Sequence, residues 1–383
     1  MRQRLENNIA IDYVFRFVSS FDLSSGIWVL YLVFKGLPLW QIGLLEGIFH
    51  VVSFISEVPT GAAADLLGRK KVILLGRICS ALSCIIMLFA TNFWHFAFGF
   101  LFSAWGYNLL SGSEEALVYD SLKLIGKEDT YRKVNGRLEM IINIAQGAGT
   151  FIGGILAEKS YYYCYGAAVM ICLTSLIPAF FLKEPELLID KKMIEKVSIK
   201  AHFRSSYNVV KKSPAIMETL LSYSLIFTFY MISYFYGQKY FSDLGLNKIE
   251  ISVVMLVTGI MSCLGAMVSD KVSQLLKNHT KNWAIVIIAF GMLGLAVGRI
   301  DVSIACFFIM GFTNTLLYPL QSDTLNRLIP SEQRATIISV NSMTYSLFML
   351  ILFPIVGVLA GIFGLRFVFV GLGIIEMVIS FVI

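Results

Sequence analysis

Charge is scarce in this chain. Only 15% of its 383 residues are Asp, Glu, Lys or Arg, against roughly 25% in a typical soluble domain. Hydrophobic residues reach 57%, with a mean hydropathy of +0.75. That balance excludes a soluble globular enzyme and a disordered chain. The six cysteines (Cys79, Cys84, Cys164, Cys172, Cys263, Cys306) are scattered, nearly all inside apolar stretches. They form no C-x-x-C or Cys/His spacing, so neither a zinc site nor a disulfide framework is indicated. The G-x-x-x-x-G-K-[ST] phosphate loop is missing, which excludes an ATP motor carried by the chain itself. Nor is a cleavable signal peptide evident, since Asp12 and Arg16 interrupt the first apolar stretch.

What remains is apolar sequence in long continuous runs, the signature of membrane-spanning helices. An outer-membrane barrel, with alternating strands, does not fit. The spans fall at about 11–34, 39–64, 72–90, 93–117, 135–157, 162–182, 214–238, 249–270, 283–300, 302–325, 335–360 and 364–383. The fold class expected is therefore all-α integral membrane, with twelve transmembrane helices in two pseudo-symmetric six-helix bundles. Residues 1–182 form the first bundle and 214–383 the second. The polar interval 183–213 makes a cytoplasmic linker with eight Lys and Arg. The boundary between spans nine and ten is the least marked, with only Arg299 and Asp301 at the turn.

Counting Lys and Arg by side gives 24 on the face that holds the termini and the linker and 6 on the other. The positive-inside rule then puts both termini and the linker in the cytoplasm. The net charge of +6 thus reflects topology, and no nucleic-acid partner is expected. The halves also echo one another. Ala63-Ala64-Asp65 matches Val268-Ser269-Asp270, Asp120-Ser121-Leu122 matches Asp323-Thr324-Leu325, and Gly154-Ile155-Leu156-Ala157 matches Gly357-Val358-Leu359-Ala360. Three matches in order at nearly one offset support a duplicated six-helix unit.

After span two comes Gly61-Ala-Ala-Ala-Asp65-Leu-Leu-Gly68-Arg69-Lys70-Lys71. This closely resembles the loop signature of the major facilitator superfamily, G-x-x-x-D-[RK]-x-G-[RK]-[RK], with Leu66 at the position of the usual base. The resemblance implies secondary transport by alternating access. It also implies that Gly61, Asp65, Gly68, Arg69 and Lys70 act with Asp120, at the end of span four, as a conformational latch. Elementary physics agrees: a glycine permits close helix approach, an acid suits a helix N-terminus, and Gly68 permits a tight turn. Glu57-Val-Pro-Thr-Gly61 and Gly112-Ser-Glu-Glu-Ala116 look like a bacterial exporter branch. Drug–proton antiporters of the family carry an Arg in helix four, where this chain has Trp105. Their helix-five motif survives in part as Gly149, Gly153 and Gly154.

Ionisable groups inside spans are costly and usually face an aqueous cavity or a partner. Asp22 lies about 16 Å into span one by helix rise and is a candidate proton carrier. A permanently paired structural carboxylate is the alternative. Arg16 is a possible partner, for which Asp12, four residues earlier, competes. Glu57 and Glu114 are further coupling candidates; Glu376 reads as structural. The second half offers aromatic and amide stripes instead. Tyr230, Tyr234 and Gln238 lie in span seven, Asn314 in span ten, and Asn341 and Tyr345 in span eleven. With Trp105 and Asn108 these are substrate-cavity candidates, because Tyr offers apolar area with a polar tip; a plain packing stripe is the other reading.

The sequence is thus expected to encode a proton-coupled exporter of a small amphiphile, as a monomer in the bilayer of the bacterial inner membrane. It would be no enzyme, would need no cofactor or metal, and would use H+ as the coupling ion. Uptake or exchange of a polar nutrient, or a non-transporting sensor or lipid-handling protein, are the alternatives. The orientation is directly testable: a reporter fused within 190–205 should read cytoplasmic and one fused near Asn247 external. The reverse pattern would overturn the topology.

Overall fold

The computed structural model describes residues 2–185, 213–328 and 334–382; most of the 183–213 linker therefore lies outside the described residues. The described residues are helical, with no strand among them. In chain order the helices are α1 (Arg2–Ser19), α2 (Trp28–Phe34), α3 (Leu39–Leu67), α4 (Arg69–Phe89), α5 (Phe93–Leu110), α6 (Ser113–Leu124), α7 (Tyr131–Lys159) and α8 (Tyr161–Phe181). They continue as α9 (Pro214–Asp243), α10 (Lys248–Leu276), α11 (Thr280–Leu295), α12 (Ile300–Leu328), α13 (Arg334–Phe363) and α14 (Leu365–Val382). Read as spans these make twelve, because α1 with α2, and α5 with α6, each form one interrupted span. Among the described residues, eight helical segments are long and apolar enough by themselves to cross a bilayer.

Local chemistry sets the ends. Asn92 accepts from the His95 amide at the start of α5. Asn247 and Glu250 form a reciprocal capping box at the start of α10, which satisfies two of the amides a helix start leaves unpaired. The weakly marked boundary between spans nine and ten is a four-residue turn, 296–299. Gly298 adopts φ 72° there, and Arg299 pairs with Asp301 at 2.7 Å.

Two of the expected spans are not continuous helices. In the first, α1 ends at Ser19 and α2 begins at Trp28. Within the break, the Asp22 Oδ1 accepts from the Ser24 amide (2.8 Å) and the Ser24 hydroxyl (2.7 Å). Such short side chains compete with helical hydrogen bonding for the backbone. In span four, Ser111 and Gly112 separate α5 from α6, and Gly112 sits at φ 74°.

The chain divides into two compact units. One contains residues 2–28 and 48–185, the other 29–47, 213–328 and 334–382. In the first unit, Phe15, Ile73, Leu117, Ala179 and Leu182 form a buried cluster that ties α1, α4, α6 and α8 together. The interrupted first span lies against α7. A Cβ on Gly149 would stand 2.8 Å from the Asp22 backbone, and one on Gly153 would overlap the Leu23 carbonyl oxygen. These glycines therefore do the close packing expected of them. The Ser25 and Thr150 hydroxyls add a hydrogen bond of 2.7 Å.

In the second unit, α9 is the most enclosed helix, with Tyr236, Tyr240 and Phe241 fully buried. Residues 29–47 dock on α9 and α13. The Tyr236 hydroxyl donates between the carbonyls of Leu39 (2.9 Å) and Phe353 (3.1 Å), and a Cβ on Gly43 would lie 2.7 Å from the Pro354 backbone. Large apolar side chains stay exposed around both units, among them Phe89, Met267 and Phe367, as a lipid-facing surface requires.

The glycine contacts yield a test. Gly153→Ala should destabilise the protein by about 3 kcal/mol through overpacking and lower its thermal midpoint in detergent. Gly166→Ala, where a Cβ meets nothing within 4 Å, should leave the midpoint unchanged.

Candidate functional site

In the first unit, helical spacing puts Asp12 and Arg16 on one face of α1. The left-handed Gly112 restarts span four so that Glu114 falls in the first turn of α6. There the positive end of the helix favours a carboxylate. Arg16 Nη1 forms an ion pair with Glu114 Oε2, and Arg16 Nε lies 3.6 Å from Asp12 Oδ2. Asp12 is 0% exposed and Glu114 7%. Neither Asp12 oxygen has a hydrogen-bond partner among the described residues. Two buried carboxylates thus share the Arg16 guanidinium. Glu114 also lies in the field of the buried Arg77 cation, so Asp12 is the less compensated of the two. The sequence signals Arg16 and Glu114 separately; no spacing rule joins residues 98 positions apart.

The other carboxylates sit differently. Asp22 lies in the break of the first span and is exposed; it is engaged by Ser24. Arg16 meets Glu114 and Asp12 instead. Glu57 and Glu115 are exposed on α3 and α6. Glu376 is fully buried in α14, and neither of its oxygens is hydrogen-bonded among the described residues.

At the start of α4, Gly68 adopts φ 95°, which brings the Glu184 carboxylate against it. Glu184 accepts from the amides of Arg69 (2.7 Å) and Lys70 (2.8 Å). It caps the start of α4 from 114 residues away, a role that sequence reasoning missed. Arg69 Nε lies 3.7 Å from Asp120 Oδ2, so Arg69 and Asp120 of the expected latch do meet. The Lys70 ammonium stands 5.0 Å over the Phe180 ring. A Cβ on Gly61 would meet nothing within 4 Å among the described residues. The Asp65 side chain lies outside the described residues.

The cavity candidates separate into two kinds. Asn108 is buried and accepts from the Ser53 hydroxyl at 2.7 Å, which binds α5 to α3. Gln238 is fully buried and accepts from the Val29 amide at 3.1 Å. Gln321 donates to Asn341 at 2.7 Å, joining α12 to α13. Trp105 is 39% exposed with its ring edge-on to Phe102. Tyr230 and Tyr234 have ring centroids 6.1 Å apart, and Tyr234 stacks on Phe307 at 5.8 Å. Phe227 stacks on Tyr318 at 4.2 Å. Asn314 is buried, and its Oδ1 has no hydrogen-bond partner among the described residues. Tyr345 is half-buried. One wall of α9 and α12 is therefore aromatic with a few polar tips.

The profile of the Major Facilitator Superfamily matches residues 14–347. The chain belongs to that superfamily. It is 21% identical over 357 residues to the uncharacterized MFS-type transporter YxaM of Bacillus subtilis (strain 168), covering 90% of this chain and 87% of YxaM. It is 24% identical over 189 residues to Multidrug resistance protein 2 of the same organism, covering 49% of this chain and 45% of that protein. Among solved structures, a variant of the nucleoside transporter NupG superposes with a TM-score of 0.84 at 13% identity, over 98% of each chain. A bacterial homolog of the human lysosomal transporter Spinster, described as inward-facing and unoccupied, gives 0.77 at 14% identity, over 99% of this chain and 95% of that one. At such identities the superpositions establish the fold alone. With family and fold agreeing, the protein is a multi-pass membrane transporter built on the twelve-helix plan.

The buried charge group makes a signed prediction. Arg16→Gln removes the ion-pair partner of two buried carboxylates and should cost about 3–5 kcal/mol, seen as loss of monodisperse protein or a sharp fall in thermal midpoint. Asp12→Asn removes the less compensated charge and should keep the midpoint within a few degrees. Equal losses in the two variants would contradict this reading of the group.

Proposed function

We propose that this superfamily member is a proton-coupled exporter of a small amphiphilic molecule in the bacterial plasma membrane, working as a monomer with both termini in the cytoplasm. The observation that carries the coupling is the Asp12–Arg16–Glu114 group, with two carboxylates on one guanidinium. When a proton joins Asp12, its buried charge is removed; when the proton leaves, a fully buried carboxylate faces repulsion from Glu114. That difference gives the protein two states of unlike cost, which a proton gradient can drive. Asp22, in the break of the first span, is the second candidate for the carrier and Glu57 the third.

The aromatic wall of Phe227, Tyr230, Tyr234 and Tyr318 supports an amphiphilic cargo. Export is favoured by the similarity to Multidrug resistance protein 2 over about half of each chain. The Asn314, Gln321 and Asn341 amides favour the second reading, uptake or exchange of a polar nutrient. Alternating access would make and break the docking of residues 29–47 on α9 and α13, with Tyr236 as its hydrogen-bonded pin.

The test uses proteoliposomes with an imposed pH gradient and a panel of cationic amphiphiles, sugars and nucleosides. Wild type should accumulate an amphiphile against its gradient. Asp12→Asn and Glu114→Gln should each lose at least tenfold of that accumulation, while downhill exchange of the same compound persists. If both variants accumulate like wild type and Asp22→Asn does not, the coupling site is Asp22. If no gradient drives any compound, the non-transporting reading replaces this one.

A further inference from the structure

Two cysteines far apart in sequence meet inside the first unit. Cys84 on α4 and Cys172 on α8 have their sulfurs 3.7 Å apart, and both are free thiols. A disulfide needs about 2.05 Å, so side-chain rotation of under 2 Å separates contact from bond. The neighbourhood is not inert packing. Arg77, buried at 5% exposure, donates from Nε to the Ser175 hydroxyl at 2.7 Å. Ser175 in turn donates to the Cys172 carbonyl at 2.7 Å. That chain holds the guanidinium beside the Cys172 sulfur. No carboxylate lies within ion-pair distance of Arg77 among the described residues. The Arg77 charge also acts on Glu114, and that of Asp22 acts on both thiols. A buried cation hydrogen-bonded into place at one of two touching thiols is an arrangement suited to cysteine oxidation.

We propose that Cys84 and Cys172 form a reversible, peroxide-driven disulfide that staples α4 to α8, with Arg77 as its positioning residue. The Cys172 sulfur attacks one oxygen of hydrogen peroxide and the O–O bond breaks. The thiol proton and the departing hydroxide leave as water, and Cys172 becomes a sulfenic acid. The Cys84 sulfur then attacks that sulfur, the S–O bond breaks, and a second water leaves. Two thiols are oxidised by two electrons and one peroxide is reduced to two waters. The Arg77 guanidinium offsets the negative charge that develops in the first step. Hydrogen peroxide is small and uncharged, so it reaches thiols within the bilayer. A dithiol reductant reverses the bond by exchange. The two helices belong to the same compact unit, so the staple stiffens that unit.

The experiment uses the full chain in lipid nanodiscs treated with graded hydrogen peroxide, followed by alkylation and peptide mass spectrometry. A linked peptide pair containing Cys84 and Cys172, lighter by two hydrogens, should appear before any linkage involving Cys79, Cys263 or Cys306. Dithiothreitol should reverse it. Oxidation should raise the thermal midpoint by several degrees, and the rise should be missing in Cys84→Ser. In that variant, dimedone should trap Cys172 as the sulfenic acid. Arg77→Gln should slow trapping about tenfold and Arg77→Lys less; if Arg77→Gln fails to fold, Ser175→Ala should show the slowing instead. Both thiols staying alkylatable while the exposed Cys263 is oxidised would overturn the proposal, as would a linkage that forms only in detergent-unfolded protein. Unchanged trapping rates in the Arg77 and Ser175 variants would overturn the role of Arg77.

Discussion

Backbone at membrane depth must find its hydrogen bonds and its packing inside the protein, because lipid supplies neither. This chain stops a helix within a span twice, so each break has to be covered. The first is covered by α7, whose Gly149 and Gly153 present bare backbone to Asp22 and Leu23. A side chain at either glycine would push the unwound segment away and open its carbonyls to lipid. The second break, at Ser111–Gly112, turns a mid-span position into a helix start.

That helix start is what gives the buried charges their arrangement. Glu114 sits in the first turn of α6, at the positive helix end and within reach of Arg16 on α1. Without the break, residue 114 would continue the α5 helix and point elsewhere. The same logic recurs between α3 and α4, where Gly68 turns the chain so that α4 begins under the Glu184 carboxylate. In both places a positive-φ glycine creates a helix N-terminus and an acid occupies it, local at α6 (Glu114) and distant at α4 (Glu184). The start of α4 is further tied to α6 by Arg69 and Asp120. Loop charge in this chain therefore contributes to packing.

The second unit solves a different problem with aromatic rings. It has few deep charges, and α9 buries tyrosines on several sides. Their hydroxyls are satisfied by carbonyls, as with Tyr236 on Leu39 and Phe353. Residues 29–47 use backbone contacts for this docking, with Gly43 against Pro354 and Gly357 against Leu39. Contacts between backbones are short and stiff, so this docking holds residues 29–47 firmly on α9 and α13.

The number of spans, the all-α class and the family were legible in the sequence; most limits fell near helix ends, though α1 begins nine residues before the expected first span and α6 runs seven beyond the fourth. Long apolar runs in lipid have one economical conformation, and a loop motif such as Gly61 to Lys71 is local. The glycines of α7 were legible as close-packing residues for the same reason. What faces them was not. Whether a span is broken depends on whether a neighbour can cover the exposed backbone, and that neighbour is remote in sequence. The meeting of Arg16 with Glu114, the cap that Glu184 places on α4, the use of Gln238 and Asn108 in packing, and the contact of Cys84 with Cys172 are all of this kind. Each joins positions from 55 to 209 residues apart. The sequence by itself determined which segments enter the membrane. Only the tertiary structure decided which charges and thiols touch, because contact depends on the rotation and register of each helix against its neighbours, and no periodicity within one helix specifies those.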